Sequence, residues 1–228
     1  RAPAVLYLQV TLILLYGRVE IVYVGDGQPQ RAVVEFNTVG WELLQPGLRG
    51  LLADIYGLHA PARDIHAAEV SHAEIERLLP FKFMSGVRIY MLAPGEHLLG
   101  LDFQPAVWAW RWLLFRRQLT PPVVLALTDR HVTILAEERA LGRTPSYGWI
   151  FTFFPRHCVQ DIRSRPSEAG SSPGSSLAVE LEAQGTTTTW ELELMPEAAA
   201  SWEAKWRAHS GGRMYERGAA EASESNSR

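Results

Sequence analysis

Two stretches of the chain place the same succession of elements in front of a helix. Strand-like runs separated by a turn lead into Trp-Glu-Leu-Leu-Gln-Pro at 41–46 and into Trp-Glu-Leu-Glu-Leu-Met-Pro at 190–196, and a helical pattern follows each. Apolar side chains recur every second residue in strands and about every 3.6 residues in helices, so the two element types are distinguishable. The match predicts two copies of one supersecondary unit in a mainly β protein.

The composition is that of a globular protein, and it narrows the classes of function. Hydrophobic residues make up 47% and charged residues 21% of the 228 residues, which is enough core for one domain and part of another. A net charge of -3 argues against a nucleic-acid binder. The single Cys158 excludes a disulfide scaffold and a metal site built from several cysteines.

The apolar run 4–16 is predicted to be a buried strand. It is too short to cross a bilayer as a helix, which needs about 20 residues. A strand pattern resumes at Gly17 directly after it, which argues against a signal segment. Because the chain starts inside this strand, we expect sequence upstream of it to be missing.

Changes in the spacing at which apolar residues recur divide the chain into four expected parts. Residues 1–57 carry strands and one helix, 58–95 a helical connector, 96–210 about seven strands and a final helix, and 211–228 a disordered polar tail. Ser71 and Glu74 fit a capping box at a helix start. Gly211-Gly212 is expected to end the final helix.

The final helix is the feature on which the predicted architecture depends. Pro196 suits its first turn, and Trp202 and Trp206 fall one helical turn apart on the same face. An open, twisted antiparallel sheet leaves an exposed end that such an apolar face can cover. We therefore expect this helix to close one mouth of a curled β layer.

This order of elements resembles the pleckstrin-homology-like (PH-like) superfold of bacterial proteins. The resemblance covers roughly residues 93–210 and is carried by Leu-Ala-Leu-Thr-Asp-Arg-His at 125–131, Tyr-Gly-Trp-Ile-Phe-Thr at 147–152 and the last strand-to-helix junction. Residues 4–57 match only the C-terminal half of that fold. The resemblance implies an α+β fold, namely an antiparallel sandwich or half-barrel capped by a helix and preceded by a truncated first copy. It supplies no transferable set of site residues.

The segment 107–119 is the most unusual in the sequence. An extended backbone puts Trp108, Trp110 and Trp112 on one side, whereas a helix would leave the segment without a polar face. The PH-like resemblance places a ligand-facing rim here, and Trp with Arg suits an anionic membrane surface. The alternative is a Trp face packed on the neighbouring sheet, with the arginines extending outwards. The candidate ligand residues are Trp108, Trp110, Arg111, Trp112, Arg116 and Arg117.

Three weaker sets of residues suggest chemistry. His66, Glu69 and His72 have the composition of a metal site, but they spread over about 120° of a helix instead of converging. Asp129 and its neighbours at 130–131 are expected to satisfy a hairpin turn and not to form an acid–base pair. Cys158 is expected to be a buried thiol and not a nucleophile.

These observations favour a non-enzymatic binding or scaffold protein without a cofactor. We expect a protein partner or an anionic lipid surface as the ligand, no nucleic acid and no transmembrane segment. The expected location is the cytoplasm, at the inner membrane surface if lipid is the ligand. The alternatives are a small metal-dependent hydrolase, or a purely structural homo-oligomer assembled through strand edges or through the first copy.

Overall fold

The computed structural model describes residues 4–56, 70–92, 96–111, 115–138, 148–166 and 175–225. The N-terminal part is a three-stranded meander followed by a helix. Its elements are β1 (Ala4–Ile13), β2 (Tyr16–Gly25), β3 (Gln28–Asn37), a 3-10 turn (Thr38–Gly40) and α1 (Trp41–Tyr56). Two short helices and a π-helical turn come next: α2 (His72–Leu78), α3 (Phe81–Gly86) and the turn Val87–Met91.

The remainder of the chain contains nine strands and a long C-terminal helix within the described residues. These elements are β4 (Leu98–Gln104), β5 (Val107–Arg111), β6 (Phe115–Thr120), β7 (Val123–Thr128), β8 (His131–Glu137), β9 (Gly148–Pro155), β10 (Val159–Pro166), β11 (Ser175–Ala183), β12 (Thr186–Leu194) and α4 (Pro196–Ser225). The protein is thus mainly antiparallel β with a few helices, as the sequence predicted at this coarse level.

A seven-stranded antiparallel sheet contains strands from both the N-terminal and the C-terminal part of the chain. Its order is β3-β2-β1-β9-β8-β7-β4, and β10-β11-β12 and β5-β6 form two smaller sheets. The junction lies between β1 and β9, where Leu8 is opposite Phe153 and Leu12 is opposite Trp149. The N-terminal meander is therefore an extension of the C-terminal sheet.

Both faces of the large sheet are covered except at β3, so the described residues form three layers. On one face the large sheet packs against β10–β12 and α4, and this core includes Phe154, Ile162, Trp202 and Trp206. On the other face it packs against the helices between the two halves through residues such as Phe83. Double coverage explains why all six residues of β7 (Val-Val-Leu-Ala-Leu-Thr) are buried, since a strand exposed on one face would alternate.

The C-terminal helix packs as the sequence predicted. Trp202 and Trp206 are 1% and 2% exposed and lie in the core between the sheets. The helix runs from Pro196 to Ser225, so the helix end predicted at Gly211-Gly212 is wrong. The backbone of residues 211–225, predicted to be a disordered tail, is helical. A glycine pair lowers helix propensity but does not by itself stop a helix.

The predicted strand 4–16 is confirmed over Ala4–Ile13, but the chain then turns at Leu14-Leu15 and enters β2. Leu14 has a left-handed backbone with φ of 50°, and the two side chains are 68% and 65% exposed. Most two-residue hairpin turns use Gly, Asn or Asp at such a position. The turn was missed because its residues look like a continuation of the strand.

The Trp-Glu-Leu match does not mark equivalent positions. Trp41 is the first residue of α1, whereas Trp190 lies in the middle of β12. The local match is therefore not structural. What does recur is the order of elements, because both β1–β3 and β10–β12 are antiparallel meanders that lead into a helix.

The helices of the predicted connector form part of the core. Ile75, Phe83, Val87 and Met91 are at most 4% exposed and pack against the large sheet. The capping box at Ser71 is confirmed, since its hydroxyl accepts from the Glu74 amide at 3.3 Å and the Glu74 carboxylate accepts from the Ser71 amide at 2.9 Å. The Glu74 carboxylate also accepts a hydrogen bond from the Ser71 hydroxyl at 3.1 Å, and the bonds from the Ser71 amide and hydroxyl lower the pKa of the Glu74 carboxyl.

Candidate functional site

The Trp- and Arg-rich segment forms a separate two-stranded ribbon. The predicted extended backbone is confirmed for Val107–Arg111, which pairs with Phe115–Thr120. The register places Trp110 opposite Arg116 and Ala109 opposite Arg117. Trp112 lies outside the described residues.

The C-terminal end of β6 anchors the ribbon to the rest of the fold. Gln118 and Thr120 are buried, and Thr120 accepts a hydrogen bond from Gln104 Nε2 at 3.1 Å, which ties β6 to β4. The backbone of Arg111, Arg116 and Arg117 belongs to the paired part of the ribbon.

The predicted metal set is not brought together among the described residues. His66 and Glu69 lie outside them, and His72 is an exposed residue at the start of α2. Within the described ranges no three His, Cys, Asp or Glu side chains are placed to hold one ion.

A buried polar cluster lies at the turn between β7 and β8. As expected, Asp129 serves the backbone: Oδ1 accepts from the His97 amide at 3.1 Å, and the Asp129 amide donates to the His97 carbonyl at 3.1 Å. His131 Nδ1 lies 2.8 Å from Glu96 Oε1, and Nε2 lies 3.0 Å from the Met91 carbonyl. The side chains of His131 and Glu96 are 2% and 0% exposed.

This cluster holds elements together and offers no group for chemistry on an external molecule. Both ring nitrogens of His131 already contact acceptors inside the protein, so neither is directed at solvent. Arg156 extends the cluster, because it donates to the Thr128 carbonyl at 3.1 Å and to the His209 carbonyl at 2.7 Å. It thereby ties the turn to α4. A general base needs direct or one-water reach to its substrate, which burial at 2% prevents.

Cys158 is a buried thiol, as predicted. It is 1% exposed, and its Sγ lies 3.3 Å from the Val5 carbonyl. Burial raises the pKa of the Cys158 thiol to about 11. The thiolate is therefore scarce at neutral pH, and the adjacent His157 is exposed while Cys158 is not.

An apolar cleft opens between α1, the π-helical turn and the large sheet. Its cavity volume is about 30 Å³, and the free space between its walls is about 340 Å³ when the part open to solvent is included. Gln45 is the one polar residue among those that line it, which are Val10, Trp41, Gln45, Leu48, Leu52, Ile89, Tyr90, Phe151 and Phe153. The rings are in contact, with centroids 6.1 Å apart for Trp41 and Tyr90 and 5.4 Å apart for Tyr90 and Phe151.

Sequence reasoning missed this cleft. One wall comes from α1, through Trp41, Leu48 and Leu52. The opposite wall comes from Tyr90 and Phe151, more than thirty residues away along the chain. No local pattern links these segments, so only the tertiary structure defines the cleft.

Exposed apolar side chains surround the start of α1. Val39 is 80% exposed and Leu43 is 88% exposed. The exposed Leu14-Leu15 turn lies next to them, because the Thr38 amide donates a hydrogen bond to the Leu15 carbonyl at 3.1 Å. On the cleft itself, Ile89 is 50% exposed. Clustered exposed apolar side chains are typical of interaction surfaces.

Comparisons with known proteins do not assign the chain to a family. No protein-family model, curated protein or solved structure matches it. Among the described residues, no helix combines the length and the apolar character that crossing a bilayer requires.

Proposed function

We propose that this chain is a non-enzymatic binding protein of PH-like architecture. The strand order supports the proposal: β4, β7, β8 and β9 form a four-stranded antiparallel meander, β10–β12 form a three-stranded one, and a helix follows. That is the order of the superfold that the sequence resembles, with the ribbon β5–β6 inserted after the first strand. The helix supplies two buried tryptophans to the core between the sheets.

The proposal includes an incomplete first copy. Strands β1–β3 and helix α1 repeat the succession of β10–β12 and α4, namely three antiparallel strands and then a helix. This recurrence supports duplication more strongly than the Trp-Glu-Leu match does. In this interpretation the first copy contributes its strands to the sheet of the second copy.

The ligand is a protein partner that inserts apolar side chains into the cleft beside α1. The observation that carries this assignment is a half-open cleft with aromatic and aliphatic walls and Gln45 as the polar lining residue. Apolar, water-excluding pockets are where protein interfaces concentrate their binding free energy. Ile89, half-exposed at the cleft, is placed to meet such a partner.

Selection of a displayed random peptide library on the immobilised protein tests this assignment. We expect selected peptides with aromatic or aliphatic anchors, and an affinity lower by about tenfold or more on Ile89→Glu, because a carboxylate there must be desolvated. Phe81→Glu is the matched control, since Phe81 is 78% exposed and is not among the lining residues. Equal binding to wild type and Ile89→Glu would contradict the assignment.

An anionic membrane surface is the second candidate ligand, favoured by the composition of the ribbon. Its two strands carry Arg111, Arg116 and Arg117 together with Trp108 and Trp110. Three arginines at about 1 kcal/mol each give roughly a hundredfold enrichment on an anionic surface, which is weak binding. The ribbon therefore ranks below the cleft.

Vesicle flotation separates this candidate from the first. If the ribbon binds lipid, the protein floats with phosphatidylserine vesicles and not with phosphatidylcholine vesicles. The double variant Arg116→Glu/Arg117→Glu should then abolish flotation, while Arg77→Glu, an exposed charge reversal on α2, should leave it unchanged. No flotation of the wild type would remove the membrane from consideration.

A further inference from the structure

Strand β3 forms one edge of the large sheet, and it is exposed along its whole length. It occupies Gln28–Asn37 at the end of the strand order, and only Phe36 within it is partly buried. Val33 and Val34, which point to opposite faces, are 42% and 53% exposed. Within the described ranges no strand pairs with its outer side. Such an edge is a template for another strand.

The alternation of hydrogen bonds along the β2–β3 ladder determines which residues of β3 direct their backbone N–H and C=O groups to the free edge. The Thr38 amide donates to the Leu15 carbonyl, which makes these two residues a hydrogen-bonded pair. Such pairs alternate along an antiparallel ladder, so Phe36, Val34 and the even-numbered residues before them bond to β2. The two-residue turn at Asp26-Gly27 gives the same assignment from the other end. Arg31, Val33 and Glu35 therefore present their backbone groups to the free edge.

These outward-facing residues are self-complementary. Arg31 and Glu35 lie at equal distances on either side of Val33. If a second copy pairs antiparallel with a twofold axis at Val33, each Arg31 lies directly opposite a Glu35. An axis at Arg31 or at Glu35 would instead place like charges opposite each other, which is destabilising. Registers between these would place Arg31 and Glu35 opposite uncharged residues of the second copy.

The two charged side chains are already held on one face of the sheet. Arg31 Nε lies 2.9 Å from Glu20 Oε1, and Glu35 accepts a hydrogen bond from the Tyr16 hydroxyl at 3.0 Å. Edge charges commonly keep strands apart. In β3 the placement of Arg31 and Glu35 at equal distances from Val33 favours the register centred on Val33 and disfavours the others.

We propose that two copies of this chain pair through β3, antiparallel about a twofold axis at Val33. The pairing joins two seven-stranded sheets into one continuous sheet. Main-chain hydrogen bonds supply affinity, and the two Arg31–Glu35 pairs select the register. This inference is independent of the cleft and of its ligand.

Sedimentation equilibrium over a range of concentrations tests the pairing, with native mass spectrometry to identify the species. The wild type is expected to be a dimer. Arg31→Glu and Glu35→Arg each place like charges opposite each other twice, so each should raise the dimer dissociation constant by about tenfold or more. Mixing the two variants should restore a heterodimer, because every charge then meets its opposite. Glu42→Arg, an exposed charge reversal on α1, is the matched control.

The outcomes are decisive in both directions. A monomeric wild type overturns the proposal, as does a dimer that neither variant weakens. Two monomeric variants that do not combine overturn the register. If circular dichroism shows that a charge variant is unfolded, Val33→Pro gives a second route, since it removes an outward amide and leaves the bonds to β2 intact. A folded, monomeric Val33→Pro supports the pairing, and a folded dimer overturns it.

Discussion

Gln9 in β1 donates a hydrogen bond from Nε2 to Thr152 Oγ1 in β9 at 3.1 Å, across 143 residues of chain. The two residues lie directly opposite each other in the β1–β9 register. This pair marks the line along which the N-terminal meander joins the C-terminal sheet. The predicted complete domain, 96–210, therefore has its β9 edge covered by a strand from outside it.

The first prediction is that the C-terminal part of the chain does not fold cooperatively without the N-terminal strands. A fragment of residues 96–228 is expected to lack a cooperative thermal transition, because it exposes the β9 edge and the face carrying Phe151 and Phe153. The full chain should unfold in one transition. Differential scanning calorimetry of both proteins makes the comparison. A sharp transition in the fragment, at the temperature of the full chain, would show that the C-terminal part is self-sufficient.

The second prediction concerns the buried pair of Glu96 and His131. Glu96→Ala leaves His131 without its carboxylate partner in a site that is 2% exposed. We expect the free energy of unfolding to fall by about 3 kcal/mol. His72→Ala, at an exposed histidine on α2, should change it by less than about 0.5 kcal/mol. Urea denaturation measures both values, and similar effects of the two variants would mean that the buried pair is not a stabilising contact.

The third prediction is a loss of stability in alkaline solution that depends on Cys158. Burial raises the pKa of its thiol from 9.0 to about 11. The unfolded chain therefore loses this proton at a lower pH than the folded chain does. The contribution of the thiol is constant below about pH 9 and becomes destabilising between about pH 9 and 11. Urea melts from neutral pH to about pH 10.5 should show a steeper decline for wild type than for Cys158→Ala. Parallel declines would argue against a buried neutral thiol.

The fourth prediction concerns the strained turn between β1 and β2. Leu14 has φ of 50°, a backbone conformation that asparagine tolerates better than leucine. Leu14→Asn is expected to raise the free energy of unfolding by about 0.5–1 kcal/mol. Leu15→Asn removes a similarly exposed leucine without a left-handed backbone and should have no such effect. Chemical denaturation compares them, and a destabilised Leu14→Asn would indicate that the leucine makes a contact that outweighs the strain.

Local signals in the sequence predicted those elements that local chemistry determines. The turn at Asp129-Arg130, the capping box at Ser71 and the helix start at Pro196 all depend on residues within one turn of each other. The turn at Leu14 escaped because its residues carry no turn signal. Strand ends and helix ends are recognisable only where the residue type fits the backbone that it must adopt.

The long-range arrangement could not be predicted in the same way. The pairing of β1 with β9 depends on which apolar faces remain uncovered after the C-terminal sheet has formed, and the residues of either strand alone do not encode it. The same holds for the cleft, in which Trp41 meets Tyr90 only because the π-helical turn packs beside α1. The extended backbone of the ribbon was predicted, but the pairing of Trp110 with Arg116 and of Ala109 with Arg117 required the structure.

A methyl NMR titration with a selected peptide tests directly whether a protein partner binds at the apolar cleft. We expect the largest chemical-shift changes at Ile89, Leu48 and Leu52, and little change at Leu125 in the opposite core. Changes concentrated at Val107 and Leu119 in the ribbon, with none at Ile89, would contradict the claim.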